Sequence, residues 1–239
     1  MSGNLNPSDY VGMSFWIISA AMVAAFFFFW VERDRVEGKW KTSLTVAALV
    51  CGIAAIHYFY MRGVWVATQE TPIVFRYVDW LLTVPLQIVE FYLILSAIAV
   101  VAGALFWRLM VASVLMLVFG YMGETGAMNM FFGWFLGMLG WLYILYEIHK
   151  GEAAEINAAE GTEASQFAFD AIKWIVTVGW AIYPIGYLFM MTGGAGGSDG
   201  VNELNLVYNL ADFVNKIAFG VVIWYAAVTD SAASEEEAA

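Results

Sequence analysis

Long apolar runs, separated by short polar stretches, dominate the pattern of this chain. A helix needs about 20 mostly apolar residues to cross the hydrocarbon core of a bilayer. Runs of that kind do not alternate in polarity as the strands of membrane barrels do, and they predict an all-α membrane protein, a seven-transmembrane-helix bundle forming a single domain over residues 1–239. The predicted spans cover approximately residues 11–31, 42–61, 73–95, 97–119, 127–148, 167–191 and 201–228.

Three connections between these runs carry signals of their own. The segment 62–72 contains Val64-Trp65-Val66, a short β-prone run that suggests a small hairpin. The acidic segment 151–166 is predicted to be a loop. The glycine-rich segment 193–197 is interpreted as a flexible loop, because no Gly-Lys-Ser/Thr follows it as a phosphate loop would require.

Composition supports a membrane location and excludes several other classes. Hydrophobic residues make up 62% of the chain, charged residues 13%, and the mean hydropathy is +0.73. Soluble domains carry about 25% charged residues, so a soluble, disordered, coiled-coil or nucleic-acid-binding chain is not expected. The net charge of −11 comes largely from two polar stretches, 147–163 and 230–237, which indicate solvated loops and a tail. Cys51 is the single cysteine, and we expect no disulfide and no metal site.

Basic residues predict how the bundle is oriented. Loops on the cytoplasmic side of a membrane protein are enriched in lysine and arginine. The first loop holds Arg33, Arg35, Lys39 and Lys41, whereas the amino-terminal tail and the fourth and sixth loops hold none. We therefore expect the amino terminus to be extracellular and the carboxyl terminus to be cytoplasmic.

Ionisable residues within the spans are the strongest functional signal, because charges at such depth are costly and rare. In the third span, Asp79 and Glu90 share one helical face with Thr83 and Gln87. Eleven residues of helix separate the two acids by about 16 Å along the axis. In the predicted orientation Asp79 lies towards the outside and Glu90 towards the cytoplasm, a spacing that suits a proton relay across a central group.

The seventh span supplies a candidate for that central group. Asp212 and Lys216 are four residues apart and share a helical face. An ordinary helix ion pair is the alternative, but the apolar sequence after Lys216 argues against a surface position. A lysine amine within the membrane must be neutral, paired or chemically converted, for example into a Schiff base with an aldehyde. Arg76 and that cation together would balance Asp79 and Asp212.

Two further ionisable residues, Glu90 and His57, have both a functional and a packing interpretation. Glu90 has no evident cationic partner, so we expect it to hold its proton at rest and to donate it; a carboxyl group that packs by hydrogen bonding is equally consistent. His57 is predicted to lie near the depth of Asp79 and to titrate with it. A simple interhelical hydrogen bond is the alternative for His57.

Other polar and aromatic residues in or near the spans receive more ordinary interpretations. Arg108 is expected to be structural, and Glu124, Asp199 and Glu203 are interpreted as solvated loop acids. Most tryptophans are expected to pack or to lie at the membrane interface. The exceptions are Trp80, which follows Asp79 directly, and Trp180 and Tyr183, which precede Pro184. A proline can kink a helix, and aromatic residues beside the kink can line a flat apolar cavity.

Three strings together resemble the microbial rhodopsins, specifically the proteorhodopsins. They are RYVDWLLTVPLQIVE in the third span, WAIYP in the sixth and ADFVNKIAFG in the seventh, and the resemblance extends over essentially all seven spans. The resemblance implies all-trans-retinal bound covalently to Lys216 as a protonated Schiff base. It also implies a light-driven outward proton pump, which is a transporter and not an enzyme.

Residue roles follow from the resemblance position by position. It implies that Asp79 is the proton acceptor and counter-ion, Asp212 the second counter-ion and Arg76 their electrostatic partner, while Glu90 matches the cytoplasmic donor and His57 the partner of Asp79. Gln87 stands where blue-absorbing members carry glutamine, so a blue-absorbing pigment is expected. The implied retinal-contacting positions are Trp80, Thr83, Gln87, Trp134, Trp180, Tyr183, Pro184 and Tyr208.

The resemblance also implies a cellular setting. It predicts a multi-pass protein of the bacterial inner membrane that exchanges protons, contacts the lipid bilayer and forms a ring-like homo-oligomer, a pentamer or hexamer. One alternative is a slow-cycling photosensor that signals to a partner. Another is a seven-helix receptor for a diffusible ligand, without a Schiff base. Whether a second, carotenoid chromophore binds is left open.

Overall fold

Seven apolar helical segments long enough to cross a membrane build the protein, as the sequence predicts. The computed structural model describes the backbone of residues 4–238 and the side chains of residues 4–233, and no strand occurs within those residues. Glu235, Glu236 and Glu237 of the predicted acidic tail have side chains outside the described part. The helices are α1 (Tyr10–Glu32), α2 (Trp40–Thr68), α3 (Ile73–Ile98), α4 (Gly103–Glu124), α5 (Met130–His149), α6 (Glu152–Glu160), α7 (Glu163–Trp174), α8 (Ile182–Met191) and α9 (Ser198–Ala238).

Local sequence signals explain where several helices begin. The Asp9 side chain accepts a hydrogen bond from the Gly12 backbone N–H at 2.8 Å and caps α1. Asn129 and Thr162 cap α5 and α7 in the same way. Such caps supply acceptors to the first N–H groups of a helix, which have no partner within it.

Two of the predicted connections are wrong. The segment with Val64-Trp65-Val66 forms no hairpin but continues α2 to Thr68, and Gln69 ends the helix with a left-handed φ of 57°. The acidic segment 151–166 is not a loop, because α6 occupies Glu152–Glu160 and α7 begins at Glu163. Alanine and glutamate are strong helix formers, and they make up most of α6.

Ionisable residues of the spans point inwards in this bundle, while large apolar residues both fill the core and cover the outer surface. Five ionisable side chains in the middle of the chain's spans are at most 3% exposed: Arg76, Asp79, Glu90, Asp212 and Lys216. In contrast Ile56, Trp107 and Ile185 are more than 60% exposed. Lipid solvates apolar side chains on the outside, while buried charges must find partners inside. This distribution fits a multi-pass membrane protein.

Towards the ends of the helices, tryptophan side chains bind carboxylates of neighbouring helices. The indole N–H of Trp65 donates to Asp9 at 3.0 Å and that of Trp40 donates to Asp230 at 2.9 Å. The indole N–H of Trp224 donates to Glu32 at 2.8 Å. These bonds join α2 and α9 to the start and end of α1 and to one another.

The sixth span is broken near its middle. It consists of α7, a π-helical turn at Ile175–Gly179 and α8. The backbone N–H of Trp180 donates to the Ile175 carbonyl at 3.1 Å, five residues back, so the helix is wider there. Pro184 lies just beyond this turn and has no N–H to continue the helical pattern.

Candidate functional site

Lys216 lies between two carboxylates in the interior of the bundle. Its amine nitrogen is 2.9 Å from an oxygen of Asp79 and 2.9 Å from an oxygen of Asp212. All three side chains are at most 2% exposed. Asp79 lies on α3, and Asp212 and Lys216 lie on α9. The structure thus brings together three residues that sequence analysis had selected on two separate helices.

Asp212 receives three further hydrogen-bond donors. The Tyr183 hydroxyl donates to it at 2.6 Å and the Tyr58 hydroxyl at 2.8 Å. The Trp80 indole N–H lies 3.3 Å from the same carboxylate. Asp212 therefore accepts from two phenols and one indole in addition to its contact with Lys216.

Asp79 has a different set of neighbours. His57 Nδ1 lies 3.2 Å from the second carboxylate oxygen of Asp79, which places the pair in contact as predicted. Since a carboxylate only accepts, the hydrogen on Nδ1 donates. The Thr83 hydroxyl donates to the backbone carbonyl of Asp79 at 3.0 Å and not to its side chain. The Thr83 hydroxyl therefore bonds within its own helix.

Arg76 binds two asparagine side chains, a contact that sequence analysis did not predict. Its guanidinium donates to the side-chain oxygens of Asn205 at 2.9 Å and Asn209 at 2.7 Å, and no ion pair within 4.0 Å joins it to either aspartate in the described structure. Its nearest link to Asp212 runs through the Tyr58 hydroxyl, 3.5 Å from Arg76. The two aspartates thus have Lys216 as their direct cationic partner.

Glu90 is buried apart from this cluster. Its carboxyl group is fully buried, and neither oxygen makes a hydrogen bond of good geometry among the described residues. The Ser43 side chain of α2 is its polar neighbour. Glu90 therefore has no cationic partner within 4.0 Å among the described residues, and its role as a proton donor stays a prediction.

Aromatic and apolar side chains line a cavity, and Lys216 and Asp212 belong to its lining as well. About 790 Å³ of space free of protein atoms lies in and around this cavity, and that figure includes space open to the surface. Thr83, predicted to contact a chromophore, is absent from the lining. The predicted residues that do line it are Trp80, Gln87, Trp134, Trp180, Tyr183, Pro184 and Tyr208.

Two residues given ordinary roles by sequence analysis lie in specific environments. Glu124 is not a solvated loop acid: it is the last residue of α4, it lines the cavity, and one of its carboxylate oxygens is buried. Its position beside the Tyr77 side chain accounts for that burial. Arg108 forms ion pairs with Glu147 at 3.3 Å and with Glu152, as a structural residue would.

Several residues of the site were missed by sequence analysis. Asn205, Asn209 and Asn215 were not selected, although the first two are spaced like Asp212 and Lys216 along the same helix, at intervals of three or four residues. Extending the polar face of α9 from Asp212 towards the amino terminus would have found the first two. Tyr58 follows His57 directly in sequence but faces Asp212, and no sequence pattern predicts that contact.

Fold and site together define a class of protein: a seven-helix membrane protein in which a buried lysine of the last helix, paired with two carboxylates, lines an aromatic cavity. Comparison with known proteins identifies the family. Residues 9–230 match the family model described as bacteriorhodopsin-like protein, and the chain belongs to that family.

Relatives of known type agree with this assignment. The chain is 56% identical over 230 residues to a green-light absorbing proteorhodopsin from Gamma-proteobacterium EBAC31A08, covering 96% of this chain and 91% of the relative. The crystal structure of blue light-absorbing proteorhodopsin from Med12 is 55% identical, covers 93% of this chain and 100% of its own, and has a TM-score of 0.79. These matches confirm the resemblance to proteorhodopsins.

A more distant relative extends the comparison. Xanthorhodopsin, described as a light-driven ion pump with dual chromophore, is 30% identical. Its structure covers 98% of this chain and 98% of its own, with a TM-score of 0.84. The fold is therefore shared with a light-driven ion pump.

Proposed function

We propose that this protein is a light-driven outward proton pump that absorbs blue light. The observation that carries the proposal is the Lys216 nitrogen, held 2.9 Å from each of two carboxylates and facing an aromatic cavity, with a second buried acid, Glu90, on the same helix as Asp79. Light-driven ion pumping is the activity at family level, and proton export is the form of it that the acids of this chain support.

The residues present fit a retinal chromophore. Lys216 would hold it covalently, because its amine faces a cavity lined by flat aromatic side chains, and Asp79 and Asp212 would balance the positive charge. When bound, retinal supplies light absorption and an isomerisation that changes which way the proton on the lysine nitrogen faces.

The chain's own acids then account for directional proton movement. Asp79 is the acceptor, because it contacts the lysine nitrogen directly and has one further side-chain neighbour, His57, where Asp212 has three further donors. Glu90 is the donor that replaces the proton, because it is buried without a cation and lies about three helical turns along α3. With the amino terminus outside, Asp79 faces the exterior and Glu90 the cytoplasm of a bacterial inner-membrane protein, and transport is outward.

The proposal is tested in an unbuffered suspension of cells that express the chain and are supplied with retinal. We expect illumination to acidify the medium, and a protonophore to abolish the change. Cells that lack retinal are the control. A visible pigment without any light-driven pH change would contradict pumping and would favour a photosensor of slow turnover.

Glu90→Gln is expected to slow the cycle without changing the pigment. Glutamine keeps the shape of the side chain but has no proton to donate, so the lysine nitrogen must recover its proton directly from solvent. Recovery of the visible band after a flash should slow at least tenfold, while the absorption maximum stays within a few nanometres of the wild type. Flash spectroscopy of purified pigment measures both quantities.

Glu155→Gln is the matched control for that variant, because Glu155 is an exposed acid of α6. We expect this control to recover at the wild-type rate. Unchanged recovery in Glu90→Gln would rule out Glu90 as the donor.

Gln87→Leu is expected to move the absorption band to longer wavelength. Gln87 lines the cavity, and its amide nitrogen donates to the Asn215 backbone carbonyl at 3.1 Å. A polar amide beside the chromophore favours the ground-state charge distribution and widens the excitation gap, so an apolar side chain should narrow it. Absorption spectra of the purified pigments measure the shift. The exposed Leu82, changed to alanine, is the control; a band unmoved in Gln87→Leu would refute the tuning role.

A further inference from the structure

The break in the sixth span rearranges backbone hydrogen bonds next to the candidate site. In an unbroken helix the Trp180 carbonyl would accept from residue 184, but Pro184 has no N–H. The Tyr183 N–H donates to the Trp180 carbonyl instead, at 3.1 Å. In a regular helix the Tyr183 N–H would donate to the Gly179 carbonyl, four residues back. The break therefore leaves the Gly179 carbonyl without its regular donor.

Asn215 supplies a side-chain donor to that carbonyl. Its amide nitrogen donates to the Gly179 carbonyl at 3.1 Å and lies 3.3 Å from the Tyr183 hydroxyl. Asn215 is 3% exposed and directly precedes Lys216 on α9. A single buried side chain therefore joins the broken span to the helix that holds the lysine.

The π-helical turn has a glycine, Gly179, where Asn215 contacts it. A Cβ atom built at Gly179 would lie 2.1 Å from the Asn215 side-chain oxygen, far inside van der Waals contact. Any residue larger than glycine would therefore displace the amide. Gln87 binds the opposite side of the same residue through the Asn215 backbone carbonyl, so α3, the broken span and α9 converge on Asn215.

We propose that Asn215 is a positioning residue that holds the broken sixth span against the helix of Lys216 and so keeps solvent from the lysine nitrogen. The proposal rests on the proposed function, because the protected atom is the one that would bind retinal. Asn215 acts through the Gly179 carbonyl and the Tyr183 hydroxyl, and it is absent from the residues that line the cavity.

The test measures how fast hydroxylamine bleaches the purified, retinal-loaded pigment in the dark, since this reagent must reach the linkage at Lys216. Asn215→Ala and Asn215→Leu both remove the donor, but alanine leaves a void and leucine fills the space. We expect both to bleach at least fivefold faster than the wild type. Val214→Ala, a change at the neighbouring residue that is 47% exposed, should stay within twofold.

A double-mutant cycle with Pro184→Ala identifies the bond involved. Alanine at 184 restores an N–H for the Trp180 carbonyl, which lets the Tyr183 N–H return to the Gly179 carbonyl. In that background the loss of Asn215 should change bleaching less than twofold. If removing Asn215 accelerates bleaching as much in the Pro184→Ala background as in the wild type, the inference is overturned. A wild-type bleaching rate in Asn215→Leu would also overturn it, because packing alone would then explain the role of Asn215.

The two proposals fail in different ways. A wild-type chain that forms no visible band with retinal would refute the proposed function. A wild-type chain that forms the band and exports protons, with Asn215 variants that bleach at the wild-type rate, would refute only the role of Asn215. Asn215→Ser, which keeps a shorter donor, extends the test if larger changes prevent pigment formation, and an intermediate rate is then expected.

Discussion

Asp79→Asn is expected to reduce light-driven proton export at least tenfold while a coloured pigment still forms. Asparagine has nearly the same shape, but it carries no charge and takes up no proton, so the lysine nitrogen loses the acceptor that lies 2.9 Å away. The remaining carboxylate, Asp212, still pairs with Lys216 at 2.9 Å. The pigment should therefore persist, with its cation balanced by one acid instead of two.

The same variant should absorb at longer wavelength. In the ground state positive charge is concentrated at the lysine nitrogen, and a nearby carboxylate stabilises it there. Removing one such charge raises the ground state more than the excited state, in which the charge is displaced along the chromophore. Absorption spectra and pH recordings on the same cells measure both effects. Asp199→Asn, at an exposed acid, is the control, and export above half the wild-type rate in Asp79→Asn would exclude Asp79 as the acceptor.

Replacing Lys216 is expected to remove the visible band altogether. Only an amine condenses with an aldehyde to form the linkage, so neither Lys216→Ala nor Lys216→Arg should form pigment when retinal is added. The two variants differ in the charge they leave. Alanine leaves two buried carboxylates without their cation, which costs about 3–5 kcal/mol when one partner of a buried pair is removed. Arginine keeps a positive charge on α9.

The pair of variants separates covalent binding from ion pairing. We expect the apoprotein of Lys216→Ala to unfold at lower temperature than that of Lys216→Arg, as measured by circular dichroism in detergent, while both remain colourless with retinal. Lys150→Ala, at an exposed lysine, should be coloured. A retinal-dependent visible band in Lys216→Arg would contradict the attachment site and would revive a non-covalent receptor.

The spans could be predicted from the sequence because a bilayer imposes a length and a polarity on each of them. The wrong predictions fall where that constraint ends. The end of α2 beyond Met61 is amphipathic enough to look like a short strand, yet it simply continues the helix to Thr68. The acidic residues of α6 suggested a solvated loop, but charge does not prevent a helix, and alanine and glutamate favour one.

The candidate site could be predicted where burial makes a charge conspicuous. Lys216, Asp212, Asp79 and Glu90 stand out because ionisable residues are rare in spans. Neutral polar groups give no such signal: Tyr58 and Asn215 act through contacts between distant helices, which only the packing shows. The contacts of Arg76 with two asparagine side chains could not be predicted either, because neutral amides do not stand out in the sequence.

The unequal surroundings of the two aspartates have a consequence for the path of the transported proton. Distance does not distinguish them, because each lies 2.9 Å from the lysine nitrogen. Besides the lysine, Asp212 accepts hydrogen bonds from two phenols and an indole, whereas Asp79 contacts one histidine. In the proposed pump, therefore, three ring donors to Asp212, and not the distance to the lysine, select which of two identical carboxylates accepts the proton.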